Sequence, residues 1–146
     1  MKREYPPQPL VGVSVVICNN KGEILLVKRR NEPGKNLWSI PGGLVELGEL
    51  VKDAAKREAE EETGLKIKIR KLLDVVDVII RNENNKVRFH YVLIAFSAYP
   101  IKGELKLSSN EHSDIKWVSV KEATQYNLTR TCRKLLRKLK FREINS

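Results

Sequence analysis

Four glutamates occur within eight residues at Arg57 to Gly64, where the sequence reads REAEEETG. Residues Leu50 to Thr63 favour a helix, and Val51 and Ala54 begin its apolar side. At about 100° per residue, three carboxylates fall in the same arc as those apolar residues: Glu58, Glu61 and Glu62. The helix therefore continues a buried face with acidic side chains.

Three carboxylates this close repel one another, and each pair costs a few tenths of a kcal/mol even in water. Arg57 or a bound divalent cation could offset that repulsion. Hard oxygen donors without Cys or His suit Mg²⁺, with Mn²⁺ as a second possibility. The alternative is a solvated acidic helix face, which is what charge runs usually form.

The residues before this helix extend the pattern. Five residues separate Gly43 from Glu49, seven more lead to Arg57, and the segment closes at Gly64 and Leu65. This spacing resembles the Nudix box, G-x5-E-x7-R-E-U-x-E-E-x-G-U with U aliphatic, and every fixed position is filled. Ala59 is a minimal aliphatic residue, and Leu50 replaces the usual Ser or Thr, so the helix lacks a side-chain N-cap.

The resemblance extends from Val11 to about Leu139 and implies a fold and an activity. The implied fold is α/β, a Nudix-type α/β/α sandwich with a mixed β-sheet between helices. The implied reaction is Mg²⁺-dependent hydrolysis of the pyrophosphate bond in a nucleoside diphosphate linked to another moiety. A non-catalytic nucleotide-binding or RNA-binding module on the same fold is the competing hypothesis, although such modules commonly have broken boxes.

On the family's pattern, Glu58 and Glu62 are the firmest metal ligands. Glu61 contributes to the site, and the Gly42 carbonyl is a further ligand because a glycine lets backbone approach a metal closely. Arg57 and Glu49 resemble the pair that orients the glutamates through a bidentate contact. The alternative for that pair is a surface ion pair.

The general base varies in the family between a box glutamate and a glutamate on a distant loop. Box candidates here are Glu58 and Glu61. Glu111, six residues before Trp117, has a spacing similar to that of the loop glutamate in MutT-type members, where it acts as base or outer metal ligand. Asp114 is its local rival, and His112 receives no role.

Substrate contacts are predicted from basic and aromatic residues outside the Nudix box. Arg29 and Arg30 follow a strand and could meet phosphates, and Trp38 could stack on a base, as could Phe89 or Tyr91. Aromatic residues in strands are more often part of the core. ADP-ribose-like substrates are slightly preferred, and the alternative is a nucleoside triphosphate pyrophosphohydrolase of the 8-oxo-dGTP sanitising type.

The elements that must position these residues follow from periodicity and turn signals. Two strands flanking Asn19 to Gly22 predict a hairpin, and Ser119 with Glu122 predicts a capping box that opens a short helix at Lys121. The predicted strands are Val11 to Cys18, Glu23 to Lys28, Lys66 to Ile80, Val87 to Ala98 and Ile115 to Val118. A last helix is predicted from about Leu128 to Phe141.

The chain of 146 residues has the length of one domain, residues 1–146, with an N-terminal arm at 1–9. It lacks the apolar run of a membrane span or signal peptide, so we expect a cytoplasmic protein without a membrane partner. Its net charge of +10 favours anionic partners. A small nucleotide is the expected partner, nucleic acid is unlikely, and the Pro-rich arm could reach across a homodimer.

Overall fold

The computed structural model describes residues 2–145, with side chains up to Leu139. Within this part of the chain, seven strands and three helices form in the order β1 (Leu10–Ile17), β2 (Glu23–Arg29), β3 (Trp38–Ser39), β4 (Gly42–Leu44), α1 (Val51–Thr63), β5 (Leu65–Arg81), β6 (Val87–Gly103), β7 (His112–Ser119), α2 (Val120–Ala123) and α3 (Arg130–Asn145).

The strands form two sheets. The larger sheet has the order β4-β1-β6-β5, with β1 and β6 parallel and the other pairs antiparallel, and the smaller sheet has the antiparallel order β3-β2-β7. The predicted α/β sandwich with a mixed sheet between helices is therefore confirmed.

The predicted hairpin of the first two strands forms only at its turn, where the Asn19 N–H donates to the Glu23 carbonyl at 2.9 Å. β1 and β2 belong to different sheets and are joined, among the described residues, by one isolated bridge between Cys18 and Ile24. Residues Ile24 to Val27 are completely buried, so β2 needs neighbours on both faces. Its two faces are covered by the two halves of the core, Ile24 and Leu26 on the side of α3 and Leu25 on the side of α1, while β7 pairs along its edge.

Alternation along β1 divides the core into two layers. Val15 and Ile17 pack on the side of α1, whereas Val16 packs on the side of α3. The contact face of α1 consists of small buried residues, Ala54, Ala55 and Ala59. Small side chains let a helix approach a sheet closely, which brings the acidic side of α1 to β4.

The ends of α1 agree with the sequence. Leu50 precedes the helix without a side-chain cap, and Gly64 ends it in the left-handed conformation with φ 78°. The predicted capping box is also confirmed, since Ser119 Oγ accepts a hydrogen bond from the Glu122 N–H at 3.0 Å. β6 runs to Gly103, five residues beyond the predicted Ala98, and pairs with the equally long β5.

The N-terminal arm lies against the turn between β5 and β6 of its own chain. Glu4 forms an ion pair with Arg88 at 2.6 Å, and the Tyr5 N–H donates to the Arg88 carbonyl at 2.7 Å. These contacts within the chain account for the position of the arm without a second copy. The homodimer stays a prediction. Between residues 2 and 145, no helix has the length and apolar composition needed to span a bilayer.

Candidate functional site

Two glutamates of α1 meet the backbone of β4 at a pair of glycines. Glu62 Oε2 accepts a hydrogen bond from the Gly42 N–H at 3.1 Å. The Glu58 carboxyl group lies directly against Gly43, where a β-carbon would overlap it. The glycine at position 43 is thus required for this approach, because any side chain would occupy the space of the carboxyl group.

Glu62 is almost fully buried, with 2% of its surface exposed, and its Oε1 has no hydrogen-bond partner among the described residues. Burial, reinforced by the neighbouring charge of Glu58, raises the pKa of Glu62 to about 9. Burial also raises the pKa of Glu58, and a hydrogen bond from Arg57 opposes that rise. Two adjacent carboxyl groups are therefore held where ionisation is unfavourable.

Arg57 organises the carboxylates around it. Its Nε and Nη2 donate to the two oxygens of Glu49 at 2.7 and 2.9 Å, and its Nη1 donates to Glu58 at 2.7 Å. Nη2 also donates to the Leu44 carbonyl at 3.0 Å. The bidentate contact lowers the pKa of Glu49 to about 2. Arg57 thereby links the loop before α1 to the glutamate that lies on Gly43.

The donors at the glycine pair fit a hard divalent cation. Carboxylate oxygens are the ligands that Mg²⁺ and Mn²⁺ prefer, and the partnerless Oε1 of Glu62 is a buried acceptor that a cation would satisfy. The sequence predicts three converging carboxylates, but the structure brings two together. Glu61 is 59% exposed at its side chain and lies 3.2 Å from Arg57 Nη1.

For that reason, no three acidic, histidine or cysteine side chains among the described residues stand close enough to hold a metal ion in this arrangement. Gly42 contacts Glu62 through its N–H, so its role as a carbonyl ligand stays a prediction.

A cleft of about 880 Å³ opens beside the glycine pair. Arg29 lines it, and its Nε donates to the Pro33 carbonyl at 2.6 Å. Burial lowers the pKa of Arg29, while the charges of Tyr91, Glu111 and Glu62 favour its charged form. Neither terminal nitrogen of Arg29 bonds to a described residue, so the guanidinium fork is available to an anion in the cleft.

The structure places the predicted base at the same cleft. Glu111 lines it, and its charge contributes to raising the pKa of both Glu58 and Glu62. The rival residue Asp114 is not among the cleft-lining residues, and its Oδ1 accepts from the Ile115 N–H at 2.8 Å.

Two predicted substrate contacts lie elsewhere. Trp38 packs edge-on against Tyr126, with ring centres 5.2 Å apart, and belongs to the packing on the α3 side. Arg30 is exposed and directs Nη2 to the His112 carbonyl at 3.4 Å. Neither side chain lines the described cleft, so the assignment of both to substrate binding stays a prediction. Tyr91 is the aromatic residue that does line it.

Sequence reasoning missed His112, Ser14 and Arg3, which also line the cleft. His112 is 4% exposed, and burial together with the charge of Arg29 lowers its pKa to about 4. Its position as the first residue of β7, in an alternating strand, was a signal that it points inward. No sequence signal marked Arg3, because the fold of the arm brings it to the cleft.

Comparisons with known proteins agree with this geometry. The family model described as NUDIX domain matches residues 8–139. An ADP-ribose pyrophosphatase from Methanocaldococcus jannaschii is 42% identical over 98 residues, which cover 67% of this chain and 55% of that protein. The chain therefore matches little more than half the length of this relative.

A putative 8-oxo-dGTP diphosphatase from Bacillus subtilis is 32% identical over 108 residues, covering 74% of this chain and 65% of that protein. The crystal structure of a MutT NUDIX hydrolase from Burkholderia pseudomallei superposes with a TM-score of 0.76 at 32% identity, over 90% of this chain and 98% of that chain. With the family model covering most of its length and the glycine-bound glutamates in place, the chain belongs to the Nudix family.

Proposed function

We propose that the protein is a Mg²⁺-dependent pyrophosphohydrolase that cleaves a nucleoside diphosphate linked to another moiety, with ADP-ribose-like substrates preferred. The observation that carries the proposal is the buried Glu62, which has one unpartnered oxygen and is hydrogen-bonded to Gly42, a residue that lines the cleft. A folded protein rarely retains such a group unless a ligand satisfies it. The similarity to a protein named ADP-ribose pyrophosphatase supports the substrate class.

Glu58 and Glu62 would hold the metal, joined by Glu61 and the Gly42 carbonyl. When bound, Mg²⁺ or Mn²⁺ would neutralise the charge of the diphosphate and make its phosphorus more open to attack. Arg57 and Glu49 act on Glu58 rather than on the substrate. Their bidentate contact fixes the orientation of that carboxylate before the substrate arrives.

The remaining steps belong to side chains that line the cleft. Arg29 binds oxygens of the diphosphate through its free guanidinium fork. Glu111 accepts a proton from the attacking water, the water oxygen bonds to one phosphorus, and the bond from that phosphorus to the bridging oxygen breaks. The bridging oxygen leaves with the second phosphoryl group. From ADP-ribose the products are AMP and ribose 5-phosphate.

A triphosphate substrate is the second candidate, because the Bacillus subtilis relative is named a putative 8-oxo-dGTP diphosphatase. The same chemistry on a nucleoside triphosphate gives a nucleoside monophosphate and pyrophosphate.

A substrate panel tests the proposal. The purified chain is incubated in Mg²⁺ with ADP-ribose, 8-oxo-dGTP, NADH and a dinucleoside polyphosphate, and products are identified by mass. Glu62→Gln is the inactive control, and Glu60→Gln, an exposed residue on the same helix, is the matched control that keeps activity. If no substrate gives product in Mg²⁺ or in Mn²⁺, the proposed enzymatic activity is overturned and the non-catalytic binding module is favoured.

A further inference from the structure

The cleft extends well beyond the glycine pair. Ser14 lies opposite Gly42 on one side and Ala95 on the other, whereas Leu10 lies opposite Tyr91. Tyr91 is therefore displaced by four residues along β6 from the level of Gly42, about 13 Å at 3.3 Å per residue. A nucleoside or sugar unit attached to the diphosphate can span that distance.

Arg29 lines the same cleft as Tyr91 and Arg3. The charges acting on it come from Glu62 and Glu111 and from Tyr91 and Arg3. Tyr91, in turn, is affected by Arg3 and Arg29. Gly42, Glu111, Arg29, Tyr91 and Arg3 thus line one continuous cleft, and charges act between several of them.

The contacts of the two residues that follow Arg3 position it at the part of the cleft that contains Tyr91. Glu4 and Tyr5 anchor the arm to Arg88, and the Tyr5 hydroxyl also accepts from Asn82 Nδ2 at 3.1 Å. Arg3 itself makes no ion pair or hydrogen bond with any residue in the described part of the chain. Its exposed guanidinium is held over the cleft by the residues that follow it.

Four arginines line the cleft, Arg3, Arg29, Arg81 and Arg130, together with the acidic residues Glu32, Asp77 and Glu111. The charge of Arg3 lowers the pKa of Arg29. No described carboxylate lies within 4 Å of either one to form an ion pair, and Glu4 is already paired with Arg88. Anions bound on the two sides of Arg29 would relieve this repulsion. The diphosphate is one such anion, and a second anion near Arg3 would be the other.

We propose that Arg3 and Tyr91 form a second anion subsite, which binds a phosphate group of the substrate other than the two of the scissile diphosphate. The inference rests on the proposed function for the placement of the diphosphate. Arg3 contributes charge, and the Tyr91 hydroxyl donates a hydrogen bond. The Tyr91 ring is supported by Phe89, which stacks on it with ring centres 6.4 Å apart. The preferred substrates are then nucleotides with an additional phosphomonoester on the nucleoside.

Hydrolysis of a matched pair tests the subsite. ADP-ribose and its 2′-phosphate share the scissile bond and differ by one phosphate. We expect kcat/KM about tenfold to a hundredfold higher for the phosphorylated member, mostly through KM, because charged hydrogen bonds contribute that much. Arg3→Ala should remove the preference, Tyr91→Phe should reduce it, and Lys2→Ala, on the same arm, should keep it.

Binding without hydrolysis separates this inference from the proposed function. Calorimetry with adenosine 2′,5′-bisphosphate, its 3′,5′ isomer and AMP should show tighter binding of a bisphosphate to the wild type and equal binding of all three to Arg3→Ala. Equal affinity in the wild type, or an equal loss for all three ligands in Arg3→Ala, overturns the subsite. If the preference for a bisphosphate holds but no diphosphate is hydrolysed, the subsite stands and the proposed function fails.

Discussion

Glu49 and Glu62 are the same chemical group on either side of Arg57, yet their surroundings are opposite. Both oxygens of Glu49 accept from the Arg57 fork, and its pKa falls to about 2. Glu62 accepts one hydrogen bond, from Gly42, and its pKa rises to about 9. One carboxylate is fully compensated by the protein, whereas the other is not.

The difference separates a carboxylate that orients its neighbours from a carboxylate that can bind a cation. A carboxylate whose charge is matched within the fold has little attraction left for a ligand, so Glu49 orients its neighbours. A buried carboxylate with an unmatched oxygen destabilises the free protein and gains most when a cation arrives. The energetic cost of Glu62 in the free protein is the basis of its affinity for a metal.

The largest effect is expected from Glu62→Gln. Loss of the metal-facing carboxylate should lower kcat by about 10²–10³-fold, while the metal-free protein becomes more stable because a buried acid is gone. Steady-state kinetics and urea unfolding in EDTA measure the two changes. If Glu62→Gln instead lowers the stability of the metal-free protein, the contrast with Glu49 is lost.

Gly43→Ala should come next, at about a hundredfold loss of activity. The new β-carbon would occupy the space of the Glu58 carboxyl group and force it away from Gly42. Mg²⁺ affinity, followed by calorimetry, should fall together with kcat. Gly48→Ala is the control outside the site, where a β-carbon meets no atom within 4 Å and only the φ of 83° is strained.

Arg57→Lys should lower kcat by about tenfold, within the range for partners of metal ligands. Lysine keeps the charge but cannot donate to both oxygens of Glu49 and to Glu58 at once. The pH profile of kcat should also shift to higher pH. Glu58 loses the hydrogen bond that opposes the rise of its pKa, so it ionises at a higher pH. An unchanged profile would mean that Arg57 serves only as a structural ion pair.

Local periodicity was sufficient to predict helix α1 and the inward position of Glu58 and Glu62, although not the exposure of Glu61. The Arg57–Glu49 pair followed from the family resemblance. Local periodicity was insufficient for the pairing of β2 with β7, because those strands are about 90 residues apart in the sequence. Trp38 and Tyr91 are both strand aromatics, and they differ in contacts that the sequence does not reveal, since Trp38 packs on Tyr126 and Tyr91 lines the cleft. The position of Arg3 at the cleft depends on contacts between the N-terminal arm and Arg88, which is far from the arm in the sequence.

The pH dependence of stability sharpens the contrast further. Since the Glu62 pKa is raised from 4.5 to about 9, the folded protein keeps a proton that the unfolded chain loses, and stability falls as pH rises between those values. The limiting slope is about 1.4 kcal/mol per pH unit. His112, lowered from 6.5 to about 4, contributes the opposite slope only below 6.5.

Urea unfolding in EDTA, above pH 6.5 and up to about 9, therefore isolates the acid from His112. We expect the stability difference between Glu62→Gln and wild type to widen with pH in this range, and Mg²⁺ to bind the wild type more tightly as pH rises because binding displaces the proton. Parallel curves for the two proteins would show that Glu62 is ionised without a metal.

The smallest effect is expected at the N-terminus of α1. Leu50 is 71% exposed and precedes the helix without a cap, so Leu50→Ser costs little burial and gives the free N–H groups of the first turn an acceptor. We expect a gain of about 0.5–1 kcal/mol in the free energy of unfolding, measured in urea, with kcat unchanged. Because this gain comes from a satisfied hydrogen bond rather than from the removal of an acid, it should be the same at pH 6.5 and pH 9 and in the presence of Mg²⁺. A gain that varied with pH in the manner of Glu62→Gln would show that the cap and the carboxylates are coupled through Glu49, and the two regions of the helix would then form one electrostatic unit.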